Sequence, residues 1–335
     1  LVVLEIKEVK MEFVLGLDIG YSNLKTAMGP VGQGPETSIV PSGAAPEDRL
    51  PHGIRIGEEG TRLFVDEAPW RVGLGHGRFD LWQRSLHGNY TETPTYRALF
   101  YSALMRSGEK KVDRLVTGLP VRQWMDGKIR ENLKVLLSGS HQILQGKKVS
   151  VGQVDVIPQP LGAYLDMYWT AGEEISVLSE GRVLVIDPGF YSVDWVIIDG
   201  GALRHSGSGS SLDAMSVLLQ ETATLIAETH EGNVNIDRLE DALRSGRNRV
   251  FLFGHEVELR PFLDQAANVV TRQALEAIQQ SIRREAGSVD IVILAGGGAP
   301  LYRQGVLNEF GKSKVFMNPE PELANARGFY FYGEM

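Results

Sequence analysis

The 335-residue chain is long enough to bury two cores, and its 43% hydrophobic and 23% charged residues are those of an ordinary globular protein. A formal net charge of -8 argues against a nucleic-acid surface of its own, because phosphate binding needs clustered Lys and Arg. With no cysteine there is no disulfide, thiolate metal site or cysteine nucleophile, and no stretch approaches the roughly 18 apolar residues of a membrane span.

These features fit a cytoplasmic location, with neither direct nucleic acid nor membrane among the partners. Residues 1–10 are too short and too charged for a secretory signal and read as an extension ahead of a start at Met11. Residues 13–19 form an apolar strand closed by Gly20, and residues 24–28 return antiparallel to it. Residues 29–60, rich in Gly and Pro, read as turns and short edge strands. A helix over 94–107 has Pro at its start and Gly108 at its end. A buried strand follows at 115–120, then a helix at about 122–137, a strand at 154–157 closed by Pro158, and a helix at 161–170.

The pattern then restarts. Residues 183–186 form a strand, Pro188 and Gly189 turn the chain, and 195–198 bring it back before Gly200 and Gly201 turn it into 202–204. Helices are expected at about 211–229, N-capped by Ser210 or Ser211, and at 236–244. A long helix over about 261–285 places Phe262, Ala266, Val269, Val270, Gln273, Ala277 and Ile278 on one face. A strand at 290–294 runs into Gly296, Gly297 and Gly298, and a last helix covers 321–332.

The informative feature is duplication. A strand ending in Asp and Gly, a turn and a second strand occur at Asp18-Ile19-Gly20 and again at Asp187-Pro188-Gly189, about half a chain apart. That spacing is too long for a solenoid and suits two related lobes facing one cleft. In the first loop, Gly20, Tyr21, Ser22 and Asn23 can form a nest of backbone N–H groups for phosphate, with Lys25 as a point charge on the returning strand. Asp18 would face a metal through water, as Mg²⁺ keeps several waters. Alone, this loop reads equally well as a plain hairpin. Gly189, Phe190, Tyr191 and Ser192 repeat the nest, and Asp187 follows four apolar residues, an awkward place for a carboxylate without a cation or good donors. Asp194 reads as a structural carboxylate. Gly296, Gly297, Gly298 and Ala299 let a flat ring lie against bare backbone ahead of a helix at Pro300.

Other features carry less. The seven His show no metal-ligand spacing, and no Gly-Lys-Ser/Thr is present for a P-loop. Gly73, Gly75 and Gly77 around His76 read as a loop cluster with no buried strand before it. Glu256, Glu258 and Arg260 stand near the long helix without an assigned role.

Together the three turns resemble the actin, sugar-kinase and DnaK-type chaperone superfamily over residues 13–330. The short chain and the ending Asn318-Pro319 to Ala326-Arg327-Gly328 are most similar to the plasmid-segregation ParM/StbA and archaeal actin-like group. The resemblance implies an α/β, actin-like (ribonuclease H-like, duplicated) two-lobed ATPase fold with a central nucleotide cleft. One domain would comprise residues 11–175 plus 321–335, with a small insertion at about 36–93. The other would comprise 176–320, with an insertion at about 230–260. Residues 296–300 become the adenosine loop, and 157–164 and 318–328 the connecting segments. Gln159 falls where such proteins orient the attacking water, and the helix start after 207–213 falls near ribose or phosphates. The implied activity is slow Mg²⁺-dependent ATP hydrolysis by Gln159 and Asp187, with Asp18 and Asp187 holding the metal through water. It would be coupled to self-assembly into filaments that segregate plasmid DNA through a DNA-binding adaptor. A sugar or carboxylate kinase of the same fold and a non-polymerising nucleotide-binding scaffold are the alternatives, since fold alone does not choose among them.

Overall fold

The computed structural model describes residues 11–51, 60–79, 88–285 and 287–335; the extension expected at residues 1–10 lies outside them. Strands β1 (Phe13–Ile19), β2 (Asn23–Pro30) and β3 (Glu36–Pro41) form an antiparallel meander. Strands β4 (Gly43–Pro46), β5 (Thr61–Val65) and β6 (Ala68–Leu74) make a separate small sheet. Helix α1 (Pro94–Arg106) leads to β7 (Lys111–Leu119), α2 (Val121–Trp124), α3 (Gly127–Leu137), β8 (Gly139–Leu144) and β9 (Lys147–Pro158). The first large sheet has the order β3-β2-β1-β7-β9-β8.

Helices α4 (Gln159–Thr170) and α5 (Ile175–Glu180) lead into the repeat, where β10 (Arg182–Pro188), β11 (Val193–Asp199) and β12 (Ala202–Ser211) form the second meander. Then come α6 (Met215–His230), α7 (Ile236–Arg244), the hairpin of β13 (Arg249–Leu252) and β14 (His255–Glu258), and α8 (Arg260–Arg283). Strand β15 (Ile291–Leu294), α9 (Ala299–Glu309), β16 (Lys314–Met317) and α10 (Ala324–Glu334) end the chain. The second sheet, β12-β11-β10-β15-β16, repeats the first: an antiparallel meander whose inner strand pairs in parallel with the next.

Both inner strands are covered on two faces, which is why they read as continuous apolar runs. Along β10, Leu184 and Ile186 pack among residues of α6 and α8, while Val183 and Val185 pack with Ala163, Tyr164 and Met167 of α4. Along β1, Leu15 and Leu17 face the core under α1, and Val14 packs against Ala326 and Tyr330 of α10. The two helices thus exchange sheets: α4 leaves the first and covers the second, and α10 does the reverse.

They meet backbone to backbone. A Cβ on Gly328 would collide with the Gly162 carbonyl, and one on Gly162 would press on the Asn325 carbonyl and the Phe329 ring. Beside this contact Asp166 is fully paired, accepting from Arg327 Nε at 2.8 Å and from Asn318 Nδ2 at 2.9 Å. Because α4 begins at Gln159 and α10 at Ala324, this crossing fixes where Gln159 and Asn325 stand.

Several elements differ from the sequence reading. The helix expected at 122–137 is two, because Asp126 caps the N–H groups of Lys128 and Ile129 and starts a new one. The strand expected at 154–157 is the end of the longer β9, which pairs with β8, and the hairpin β13–β14 carried no Pro or Asn-Gly signal. Neither Ser210 nor Ser211 is an N-cap: Ser210 is held by Asp194, Ser211 by Asp213, and α6 starts after Ala214. The face of α8 turns by about a residue, burying Leu263, Ala267, Thr271, Ala274 and Leu275 and exposing Val269 and Gln273. A strand with buried Trp70, Val72 and Leu74 does precede Gly75, which lies against Asp241 of α7. Residues 321–323 are a turn, not helix, and Pro321 accepts from Gly296 N.

Gly328→Ala should destabilise the fold by about 2 kcal/mol or more, since no flexible side chain is there to yield to the methyl group. Urea unfolding of parent and variant checks this; an unchanged midpoint would mean that the helices do not cross this closely.

Candidate functional site

The two meanders present matched tight turns. Gly20 N donates to Asn23 O at 3.0 Å in one, and Gly189 N donates to Ser192 O at 2.9 Å in the other. In each, a Cβ on the glycine would crowd that same carbonyl. The strand pairings match as well, setting Asp18 opposite Lys25 and Asp187 opposite Asp194. Between the turns lies a cavity of about 440 Å³.

Of the residues singled out in the sequence, Asp18, Gly20, Tyr21, Ser22, Asn23 and Lys25 line this cavity with Gln159, Asp187, Gly189, Phe190, Tyr191, Ser192, Gly297 and Gly298. Gly296 and Ala299 do not. Gly296, at φ 79°, packs so closely on Asp187 that a Cβ would strike its carboxylate, and Ala299 is buried inside α9. Gly298 is closed against Pro188, so the bare backbone expected from three glycines is offered by Gly297 alone, around which a Cβ would meet nothing within 4 Å.

At the floor of the cavity the charges are linked. Lys25 Nζ contacts Asp18 Oδ2 at 2.8 Å, and Gln159 Nε2 donates to Asp18 Oδ1 at 3.2 Å. Burial opposes the charge on Lys25, but Asp18, Asp187 and Glu322 outweigh it and hold the ammonium above its ordinary pKa. Asp187 Oδ2 accepts from Asn325 Nδ2 at 2.7 Å. Burial pushes the Asp187 carboxyl up to about 7; the Asn325 amide and Lys25 pull it down, and Asp18 and Asp194 add to the rise. Asp194 is structural in geometry. It accepts from Ser192 Oγ, from Ser210 Oγ and from Val121 N at 2.7 Å, tying the second turn to the start of α2, although burial still raises its pKa.

The aromatic side chains of the turns go to each other. Tyr21 is stacked between Tyr90 (centroids 4.3 Å apart) and Tyr191 (4.5 Å), so an aromatic pile joins the two turns. From these loops, therefore, the backbone N–H groups are the donors to consider, since Ser22 Oγ and Ser192 Oγ already donate to Glu240 and Asp194.

Among the lining residues that sequence reasoning missed are Glu240, Arg244, Glu322 and Asn325. Glu240 accepts from Ser22 Oγ, and Arg244, paired with Glu240 at 2.7 Å, donates through Nε to Asn23 Oδ1 at 3.1 Å. Their i,i+4 spacing on an amphipathic helix was the available signal, and it reads first as a solvated pair. Asn325 and Glu322 sat inside the connecting segment 318–328. Arg260 also lines the cavity, but Glu256 and Glu258 do not.

Asn325 Oδ1 is buried with no hydrogen-bond partner among the described residues. An orphaned acceptor beside a carboxylate that burial forces upward is a donor set suited to a hydrated divalent cation, whose waters would donate to both. Among the described residues no three His, Asp or Glu gather to hold a metal by themselves. The residues present fit Mg²⁺, which needs only one or two carboxylates when phosphates and water supply the rest. No helix among the described residues is long and apolar enough to cross a membrane.

Residues 16–162 match the family of actin-like proteins, N-terminal domain, and residues 185–307 match the archaeal actin homologue MreB-like family, C-terminal. Between them the matches take in both turns, Gln159 and the glycine loop, and the chain belongs to the actin-like proteins. It is similar in structure to Ta0583, an archaeal actin homologue, at 19% identity and a TM-score of 0.75, covering 96% of this chain and 99% of that one. The ADP complex of Ta0583 gives 19% and 0.73 over the same shares. A 15-stranded ParM filament from Clostridium botulinum gives 17% and 0.71, covering 97% of this chain and 99% of that one. These likenesses show the actin-like fold. No curated protein matches the chain in sequence.

The raised value of Asp187 yields a pH test. Between about pH 4 and pH 7 the native state holds a proton that the unfolded chain has released, so stability from this group is lost as pH rises through that window. Asp187→Asn cannot ionise. Without ligand it should melt several degrees above the parent at about pH 8 and close to it at about pH 4. An equal offset at both values would place Asp187 in the ordinary carboxylate range.

Proposed function

We propose that this chain binds ATP with Mg²⁺ in the cleft, hydrolyses it slowly, and assembles into head-to-tail filaments that segregate plasmid DNA through a DNA-binding adaptor in the cytoplasm. The observation that carries the reading is the pair of matched glycine turns facing one cavity above the buried cluster of Asp18, Lys25 and Asp187. The ADP held by Ta0583 and the filament formed by the clostridial ParM support it through kinship. We also take residues 11–175 with 321–335 as one domain and 176–320 as the other, since α10 packs on β1 and β2 of the first sheet.

In this reading the N–H groups of the two turns cradle the phosphates, Lys25 neutralises their charge, and Gly297 leaves room for the base. Asp18, Asp187 and Asn325 would hold Mg²⁺ through its waters, and the ion would supply charge neutralisation on the phosphate oxygens. Gln159 donates to Asp18 through its amide nitrogen, which fixes the side chain and leaves its carbonyl oxygen to accept from the attacking water. An amide orients water but is a poor base, so turnover is slow. A kinase would want a carboxylate at this corner to take the proton of an acceptor hydroxyl, and β9 passes into α4 with Gln.

Light scattering and sedimentation test the reading. ATP with Mg²⁺ should convert soluble subunits into sedimenting polymer, and ADP should not sustain it. Gln159→Ala should bind ATP with affinity near that of the parent, lose turnover by roughly 10²-fold, and form polymer that outlasts the parent's. A protein that stays monomeric with ATP and phosphorylates a sugar or carboxylate would replace this function with the kinase.

A further inference from the structure

Two exposed apolar patches lie outside the cleft lining, one at the far end of α4 and one on the β13–β14 hairpin. Helix α4 starts at the cleft with Gln159 and runs back over β10 for roughly 16 Å, at 1.5 Å per residue. At that far end Trp169 is 50% exposed and Val177 45%, with Ile175 exposed between them and Phe331 of α10 against the Trp169 ring. The other patch lies past the cleft on the α7 side, on the hairpin that follows Arg244. Val250 and Leu252 of β13 are buried, so strand alternation turns Phe251 outward, where it is 63% exposed. Phe253 occupies the first position of the two-residue turn at φ 52°, followed by Gly254 at φ 86°. Asn, Asp or Gly hold that position without strain, whereas a bulky aromatic residue does not.

The α4–α5 corner is acidic, whereas the hairpin is mixed: Arg247 and Arg249 before and on β13 are matched in number by Glu256 and Glu258 on β14. No Lys or Arg occurs between Gly162 and Arg182, while Glu173, Glu174 and Glu180 do; exposed Glu173 and Glu180 make no ion pair among the described residues. No Asp or Glu occurs between Asp241 and Glu256, while Arg247 and Arg249 do. Arg247 is exposed with no ion pair among the described residues, and Arg249 reaches exposed Glu256 at 3.4 Å.

We infer that the β13–β14 hairpin of one copy of this chain docks on the α4–α5 corner of the next, Phe251 and Phe253 against Trp169, Ile175 and Val177, with Arg247 facing Glu173 or Glu180. The contact joins two different faces of the same chain, so it repeats along a line and does not close a symmetric dimer. The inference rests on the filament reading above and names the surfaces that would build the filament.

Complementary single-face variants test it, with ATP and Mg²⁺ present throughout. Phe251→Asp and Val177→Asp change exposed side chains, and each is kept only if its melting curve and nucleotide affinity match the parent. Each variant alone should raise the critical concentration at least about tenfold. Mixed in equal amounts, they should give a heterodimer and nothing longer in sedimentation velocity, because one intact hairpin meets one intact corner. Arg247→Glu and Glu173→Arg should each weaken assembly, and the two together in one chain should restore part of it. If the parent polymerises and both apolar variants polymerise equally well, the surfaces are wrong and the filament reading stands. If the parent forms no polymer with any nucleotide, the filament reading falls and this contact with it.

Discussion

Two carboxylates from different sheets, Asp18 and Asp187, are buried at the base of one cleft with a single ammonium, Lys25, to answer them. Burial of a carboxylate is tolerated when it is ion-paired or fully hydrogen-bonded, and otherwise its charge is suppressed. Asp18 has both Lys25 and Gln159. Asp187 has one amide and a share of the same ammonium, which leaves it raised to about 7. The cluster is short of positive charge, and in the proposed function a cation bound with phosphates would supply what is lacking.

The repeat shows how one hairpin plan came to serve two purposes. Lys25 and Asp194 occupy the same place opposite an Asp in their respective meanders. Lys25 brings charge to the cleft. Asp194 takes donors from Ser192, Ser210 and the backbone of Val121, so it fastens the second turn to the first half of the chain. The exchange of α4 and α10 between sheets completes the arrangement. Their glycine-to-glycine crossing delivers Gln159 to Asp18 and Asn325 to Asp187 from opposite sides, and Arg327 on Asp166 holds the crossing in register. A small shift of either helix would move a cleft residue directly, so packing about one helical turn behind the cleft sets its geometry.

What was legible in the sequence follows the same physics. The inner strands and both turns stood out because strands buried on two faces are continuously apolar and the turns need glycine. The duplication of Asp-x-Gly after such strands gave the cleft. Residues acting through side chains from distant helices were not legible: Glu240, Arg244 and Asn325 reach the site only because α7 and α10 are carried there by tertiary packing. The triple glycine misled in detail, since Gly296 and Gly298 are required for close approach to Asp187 and Pro188, and only Gly297 is open. Ser210 read as a helix cap because a Ser before an apolar run has that local use, whereas a buried carboxylate sixteen residues away claims its hydroxyl.

In the proposed function the deficit of positive charge at Asp187 would be met by the bound cation. Calorimetric titration of Mg²⁺-ATP into the protein near pH 7, in two buffers of different ionisation enthalpy, measures the protons exchanged on binding. A substantial fraction of one proton should be released as Asp187 ionises beside its new counter-charge, and that release should be lost in Asp187→Asn. Binding with the same heat in both buffers, and no difference between parent and variant, would contradict it.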